Sequence, residues 1–401
     1  MKKLVFLILL VTVGNFLGAD DFFKVKEKII NTSRFRIASF YITPLLTVEN
    51  LGYTSNIYAY ENIAEPDWTA DLGLDISLAK ILAKRFILLV NEHPYYSFYL
   101  KNEAERAFNN RFQFYLYTYL GRLNLNYKME INYISSRPTS EFGARVRTRS
   151  RSDTISLDIG RHDNFFMNVY VGWKEIDFKD ERYLADYNLG DVLNRRERQA
   201  GVNLNKIIFS NTRLFLNYEY FDYRFANLAD RDGDGSLVLV GLGFPEIGRV
   251  TGTIRLGYKF YRPGNPLFEN YSAPFGSGRV SLTVFRRLRL QLNYLLDNFF
   301  SFYQPDQYYQ EQSIEAGFDY YLSRNLKLGY HYSYGILAFK TLKDSLEKRR
   351  DHFRRSRFFV GLRIFKDVGI GLEYSRYRAD SDRFEFIRSY DFIGGYITHE
   401  F

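Results

Sequence analysis

The sequence contains no cysteine. That excludes a disulfide framework and any chemistry built on a thiolate. After the first twenty residues there is no long apolar run, which excludes a bundle of membrane-spanning helices. Histidine is sparse. His93, His162, His331, His352 and His399 are the full set, and none lies in a nucleophile or metal motif. No enzyme is therefore expected. Charge of one sign is not in great excess either, with 55 Lys and Arg against 46 Asp and Glu, a formal net of +9.

What the chain does have is aromatic bulk: 34 Tyr and 37 Phe in 401 residues, with 46% hydrophobic content. That composition argues against disorder and favours strands. The first residues, MKKLVFLILLVTVGNFLGAD, run from a basic start through an apolar stretch to small residues, the pattern of a secretory signal peptide ending near Gly18 or Ala19. The alternative, an uncleaved anchor, needs about 20 apolar residues, more than this run supplies. Losing Lys2 and Lys3 with residues 1–19 lowers the formal charge to +7, counted from the same composition. Export removes nucleic acid as a partner. It leaves phosphate-bearing lipid or acidic polysaccharide as partners for a mildly basic surface.

The dominant period is two. In LNLNYKMEINY (123–133), Leu123, Leu125, Tyr127, Met129, Ile131 and Tyr133 share one face, and Asn124, Asn126, Lys128, Glu130 and Asn132 the other. Successive strand side chains alternate between faces. The split recurs at 68–78, 250–260, 287–296, 325–335 and 368–375. A soluble sandwich alternates too. Three features point instead to a membrane barrel. The segments reach the roughly 9–11 residues of a tilted membrane strand. Trp68, Tyr133, Trp173, Tyr258 and Tyr374 fall towards segment ends, as interface girdles do. The chain closes on GGYITHEF, in which Ile393, Ile397 and Phe401 match the terminal signal read by the barrel-assembly machinery, while Gly395 and His399 match weakly.

Alternating spans can be placed at 36–49, 68–80, 85–101, 110–120, 122–134, 140–160, 164–178, 193–208 and 213–225. Others follow at 236–246, 249–261, 277–286, 288–301, 309–322, 325–338, 353–365, 367–378 and 388–401. The expectation is an all-β, antiparallel up-and-down barrel of about 18 strands, with 16 as the alternative. It would occupy residues 36–401 behind a short periplasmic segment, 20–35. Short connections (LAKR, RHDN, SNT, SRN, FKD) alternate with long ones, as periplasmic turns alternate with outer loops. Pro94 falls inside the third span, where a missing N–H predicts a bulge.

Lipid accepts no hydrogen bonds, so the outer face must be apolar and the inner face is free to be polar. By phase, the inward cations are Lys128, Lys174, Arg213, Arg255, Lys259, Arg287, Arg289, Lys327, Arg355, Arg357 and Arg363. The inward acids are Asp71, Asp75, Glu130, Asp158, Glu197, Glu219, Glu315, Asp319 and Glu373. Eleven against nine is close to balance, so pairing along the wall is the simpler reading and strict anion selectivity does not follow.

The stretch GARVRTRSRSD places Arg145, Arg147, Arg149 and Arg151 at alternate positions. They share parity with Ile155, Leu157 and Ile159, an apolar, outward set. At about 3.4 Å per residue span 140–160 overreaches a bilayer, so the arginines belong above it. A bulge near Ser152–Asp153 would turn them inward as a funnel for anions. Without one they would meet the phosphates of lipopolysaccharide, or form only a solvated rim.

In DRDGDGS, Asp230, Asp232 and Asp234 resemble a calcium loop, although Gly241 stands where a bidentate Glu would close it. An acidic turn is the other reading. Tyr115, Tyr117 and Tyr119 share a face that would either stack on sugar rings or simply pack. No other cofactor is expected.

The segment LTVENLGYTSNIYAYENIAEPDWTADLGLDISL, the run NEAERAFNN and the later RVRTRSRSDTISLDIG resemble the β-barrel porin-2 family, over roughly residues 36–401. The resemblance implies an outer-membrane barrel, association of some members with exopolysaccharide export, and no settled catalytic residues. The leading functional expectation is a channel for small hydrophilic solutes. Export of an acidic exopolysaccharide and a closed structural or adhesive barrel are the alternatives.

Overall fold

The computed structural model describes residues 22–398, apart from 61–63, 138–140, 142–144, 162–163, 180–182, 185–186, 209–211, 245–247, 267–269, 303–305, 342–348 and 366–367. The signal segment (1–19), His162, His399 and Phe401 lie outside the described residues.

Helix α1 (Phe22–Thr32) comes first, then a short piece, Phe35–Ile37, that folds back on β1. The wall strands are β1 (Phe40–Thr54), β2 (Asp67–Leu82), β3 (Phe86–Glu92 continued by Tyr95–Tyr99), β4 (Ala107–Tyr119), β5 (Leu123–Ser136) and β6 (Val146–Arg161). Next are β7 (Phe165–Phe178), β8 (Arg195–Ile207), β9 (Arg213–Phe225), β10 (Gly233–Phe244), β11 (Val250–Pro263) and β12 (Tyr271–Val284). The wall ends with β13 (Leu288–Phe300), β14 (Asp306–Tyr321), β15 (Leu326–Thr341), β16 (Arg350–Phe365), β17 (Val368–Ser381) and β18 (Arg388–Thr398). A one-turn helix, α2 (Leu189–Leu193), sits in the loop between β7 and β8.

Each strand pairs antiparallel with its chain neighbours, and β1 pairs with β18, so the sheet closes into an 18-strand barrel. Closure gives every wall strand a neighbour on both sides, which is how strands pair their backbone groups where they cross lipid. At the seam, Gly52 lies directly opposite Gly394. A Cβ on Gly52 would overlap the backbone of Ile393 and Gly394, so glycine is required there.

The pleat explains the alternation. Leu72, Leu256 and Leu372 are 52, 58 and 71% exposed on the outside. Their partners in phase turn inward. Trp68, Tyr133, Trp173, Tyr258 and Tyr374 are exposed on the same outer face, where amphipathic rings suit a bilayer interface. Strand β1 changes phase once. Its register shifts between Glu49 and Gly52, with Asn50 at φ 53°, and so both Leu46 and Leu51 face outward.

Strand β3 is interrupted rather than simply bulged at Pro94. Pairing is kept around the gap by His93 N to the Arg111 carbonyl (2.9 Å) and Leu74 N to the Pro94 carbonyl (3.0 Å). The proline thus sits where no N–H is required. Arg287 corrects a phase assignment. It lies in the β12–β13 turn, not on the wall, because Phe285 and Arg286 take positive φ (51° and 58°) and the ladder resumes only at Val284↔Leu288.

Turns at the end holding residues 83–85, 120–122 and 285–287 are short, and loops at the other end are long, notably 55–66 and 179–194. Short turns mark the periplasmic side. Helix α1 occupies that mouth from within. Phe22, Val25 and Ile29 pack on Ala79 and Ile87 of the inner wall, with Tyr117 and Tyr119 around them. These apolar positions repeat every three to four residues and form one stripe of the helix. Lys24 and Lys28 are left exposed on its other side.

At the outer end the loops fold inward. Tyr60, Val146, Leu189, Val192, Leu193, Phe302 and Phe386 form one buried cluster with Ile176 and Phe178 of β7. Among the described residues no helix is long and apolar enough to cross a membrane.

Candidate functional site: the barrel interior

Lys128, Lys174, Arg213, Arg255, Lys259, Arg289, Lys327, Arg355, Arg357 and Arg363 all lie on the face opposite the exposed apolar residues. Many are tied to acids in the same wall. Lys128 pairs with Glu130 at 3.1 Å, Lys174 and Arg195 meet Glu197 at 3.8 and 2.7 Å, and Lys259 meets Asp297 at 2.9 Å. Arg357 pairs with Glu373. Asp158 accepts from Asn126 (3.1 Å) and Asn168 (2.6 Å), across the two neighbouring strands. This cross-strand pairing is what period-two placement of opposite charges produces.

The cations are unevenly distributed. Arg255 on β11 stands near enough to Arg213 of β9 and Arg279 of β12 to feel both as like charges, while Glu315 of β14 acts on Arg279 in the opposite sense. Lys327 faces Asp319 first and then Arg289, Arg357 and Arg363. Both groups lie in the half of the lumen nearer the short turns. His331 is held by Asp319 (3.1 Å) and Glu315 (3.7 Å), and His93 by Asp75. Tyr115 and Tyr117 face inward and stack on each other at 5.9 Å, and Phe22 covers Tyr119 at 5.6 Å.

The arginine row does not act as one set. The ladders on both sides of β6 run without a break through Ser152–Asp153, so no bulge turns the phase. Arg147, Arg149 and Arg151 are exposed on the outer face, beside Tyr133 and Trp173. Arg151 also bonds Asp153 at 2.8 Å. Arg145 precedes the strand and goes the other way. Its guanidinium donates to the Tyr99 hydroxyl (2.7 Å), Ser97 Oγ (3.2 Å) and the Ser135 carbonyl (2.7 Å). The funnel of four inward arginines is therefore replaced by three outward groups and one inward.

Asp230, Asp232 and Asp234 do not converge. Asp230 is exposed, Asp232 accepts from the Phe225 N–H at 2.7 Å, and Asp234 already belongs to β10, paired with Arg262 at 3.0 Å. Among the described residues no three His, Asp or Glu side chains gather as a metal site.

Two features had no sequence signal. The first is a sealed ion network under the outer loops. Arg349 donates to Glu141 at 2.9 Å and to both carboxylate oxygens of Asp351 at 3.0 and 2.6 Å, with all three side chains essentially unexposed. Glu141 also accepts from Ser301 Oγ (2.8 Å) and Phe302 N (3.0 Å), and Ser381 Oγ donates to Asp351 at 2.6 Å. The Arg349 guanidinium lies 4.0 Å from the Phe339 ring and 3.5 Å from that of Phe386. Buried charges need such complete pairing. Burial pushes the Glu141 carboxyl up to about 7, with Arg349 opposing. The second feature is an aromatic recess higher in the wall, lined by Phe221, Tyr223, Tyr261, Tyr271, Phe300 and Tyr308.

No family model matches the sequence, and no curated protein matches it. Solved structures do. OccK2 (OpdF) of Pseudomonas aeruginosa superposes at TM-score 0.53 with 13% identity, over 89% of this chain and 97% of that one. A BenF-like porin from Pseudomonas fluorescens Pf-5 gives 0.51 and 12%, over 90% and 99%. The chain spans 63% of the length of the FrpB iron transporter of Neisseria meningitidis, at TM-score 0.48 and 10% identity. The shared feature is the fold. The chain is a closed 18-strand antiparallel β-barrel with the architecture of those porins.

Proposed function

We propose that this barrel is a channel for small hydrophilic solutes with a weak preference for anions. The carrying observation is the inner wall itself, which holds the charged residues of the strands between aromatic patches and gathers Arg213, Arg255 and Arg279 in its periplasmic half. Barrels of about 16–18 strands are wide enough for an aqueous lumen. Near balance of charge elsewhere argues for mild selectivity. The porin-type fold agrees with this reading, as does the likeness of 46–78 and 102–110 to the β-barrel porin-2 family.

The infolded outer loops favour a gated path over a permanently open one. Passage of an acidic polysaccharide would use the same basic half, with partners in the periplasm. In this reading Arg147, Arg149 and Arg151, outward beside ring side chains, would meet lipopolysaccharide phosphates, for which guanidinium is well shaped.

The test is conductance of the refolded chain in a planar bilayer under a salt gradient. Discrete steps with a reversal potential on the anion side are expected. Replacing Arg213, Arg255 and Arg279 together by Gln should move that potential towards cation preference. Folded protein without conductance would overturn the channel reading.

A further inference from the structure

Arg354 of β16 lies directly opposite Arg378 of β17 in the ladder, and both side chains are exposed on the outer face. Like charges set directly opposite on one face of a sheet destabilise the pair. Neither guanidinium has a hydrogen bond or ion pair among the described residues. The nearby acids do not relieve them. Asp391 of β18 is engaged by Arg376 at 3.7 Å and by the Tyr374 hydroxyl at 3.0 Å. Asp380, one row further out, stands opposite His352, whose Nδ1 is 2.9 Å from the Tyr334 hydroxyl. The two arginines therefore call for an anion from outside the chain.

Towards the membrane the same face turns apolar at once. Phe358, Val360, Leu362 and Ile364 follow on β16, with Leu372 and Ile370 on β17. The arginines thus stand at the edge of the apolar band, in the headgroup layer. Level with Leu372, the outward residue of β18 is Gly395, and Leu51 of β1 lies on its other side. Leu372 and Leu51 are 71 and 54% exposed. They are two strands apart, about 9.6 Å at about 4.8 Å per strand, with bare backbone between them. That gap on the closing seam has room for one hydrocarbon chain.

We propose that this face, across β16, β17, β18 and β1, binds one lipopolysaccharide molecule as a resident lipid of the seam. A lipid A phosphate monoester takes both guanidinium forks, which suit its geometry, and an acyl chain lies over Gly395. The site is separate from Arg147, Arg149 and Arg151, which belong to the far side of the ring. It rests on the proposed outer-membrane setting and not on conduction. A free phosphate would satisfy the arginines but gain nothing from the apolar gap. A phosphodiester lipid would bring one charge where two cations wait.

The experiment is binding of bisphosphorylated lipid A to the detergent-folded full chain, followed by native mass spectrometry and by the thermal unfolding midpoint. Gln at 147, 149 and 151 in every sample removes the other outward arginines. Saturable binding of one lipid A and a raised midpoint are expected. Arg354→Gln with Arg378→Gln should weaken binding at least tenfold, about 1.4 kcal/mol, with the barrel still folded. Gly395→Leu should weaken it by filling the gap, and Leu372→Ala, which removes one wall, carries that test if the glycine variant does not close. Equal binding of dephosphorylated lipid A overturns the proposal, as does binding indifferent to the arginine pair. Phosphatidylglycerol binding as tightly, or inorganic phosphate displacing lipid A at equal concentration, overturns the choice of lipid. Lipid A binding by a protein that never conducts would keep the site and overturn the channel; conductance without lipid A binding would overturn the site alone.

Discussion

Protonation of Glu141 should tighten the outer cap. This carboxyl lies in a loop, off the spanning strands, and joins Arg349 to Ser301 and Phe302 across three outer connections. Its titration moves from an ordinary 4.5 to about 7 in the closed cap. At ~1.4 kcal/mol per tenfold, the closed form prefers the neutral acid by about 3 kcal/mol. The sign follows from linkage. The stabilisation is fully present below about 4.5 and is lost as pH rises through about 7. Single-channel open probability should therefore fall as pH drops from 8 to 5, by up to about a hundredfold if the cap is the gate. Cleavage of the outer loops by trypsin should slow in parallel, and that readout does not depend on conduction. Glu141→Gln supplies the neutral form at every pH. It should hold the cap at its acid-pH tightness and flatten both profiles. Opening on acidification, or a Glu141→Gln profile that still titrates like the native one, would refute the reasoning.

Three further outcomes follow from the wall. Gly52→Ala should prevent proper closure, since its Cβ meets backbone at Ile393 and Gly394 and backbone shifts cost about 1–3 kcal/mol; loss of the heat-resistant compact band on a gel measures it, with Gly243→Ala, which meets only the Arg213 side chain at 3.4 Å, as the tolerated control. Phe22→Ala should weaken docking of α1 by about 3 kcal/mol and raise conductance; unchanged conductance would show that the helix does not narrow the path. Gln at 147, 149 and 151 together should lower the lipopolysaccharide that copurifies while leaving conductance as it was; unchanged retention would leave a solvated rim.

Much of the wall was legible because lipid leaves so little choice. Leu123, Leu125 and Tyr133 outside, with Asn124, Lys128 and Glu130 inside, state both strand and face at once. Eighteen spans and eighteen strands agree for that reason. Ends were less legible. Residues 233–235 read as loop because Gly and Asp suggest a turn, yet Gly235 and Asp234 pair with Tyr261 and Arg262 in the ladder. Arg145 shares parity with its neighbours but precedes the strand, so parity said nothing of its direction. The cap was invisible. Glu141 and Arg349 are 208 residues apart, in loops without a period, and only the closed ring brings their loops together. The recess has the same origin: its rings come from β9, β11, β12, β13 and β14, each unremarkable on its own strand.

The seam carries one more implication. The strand that follows α1 and the strand that ends the ring are hydrogen-bonded neighbours, Gly52 against Gly394. A contact of that sequence separation can form only after the whole wall has been delivered, which makes closure the slow, late event in assembly. Until then two long strand edges stand open to other chains. Truncation anywhere downstream of β1 should therefore leave no smaller working barrel, only an open sheet with an unpaired first strand. The protein would depend on being escorted until its last strand arrives.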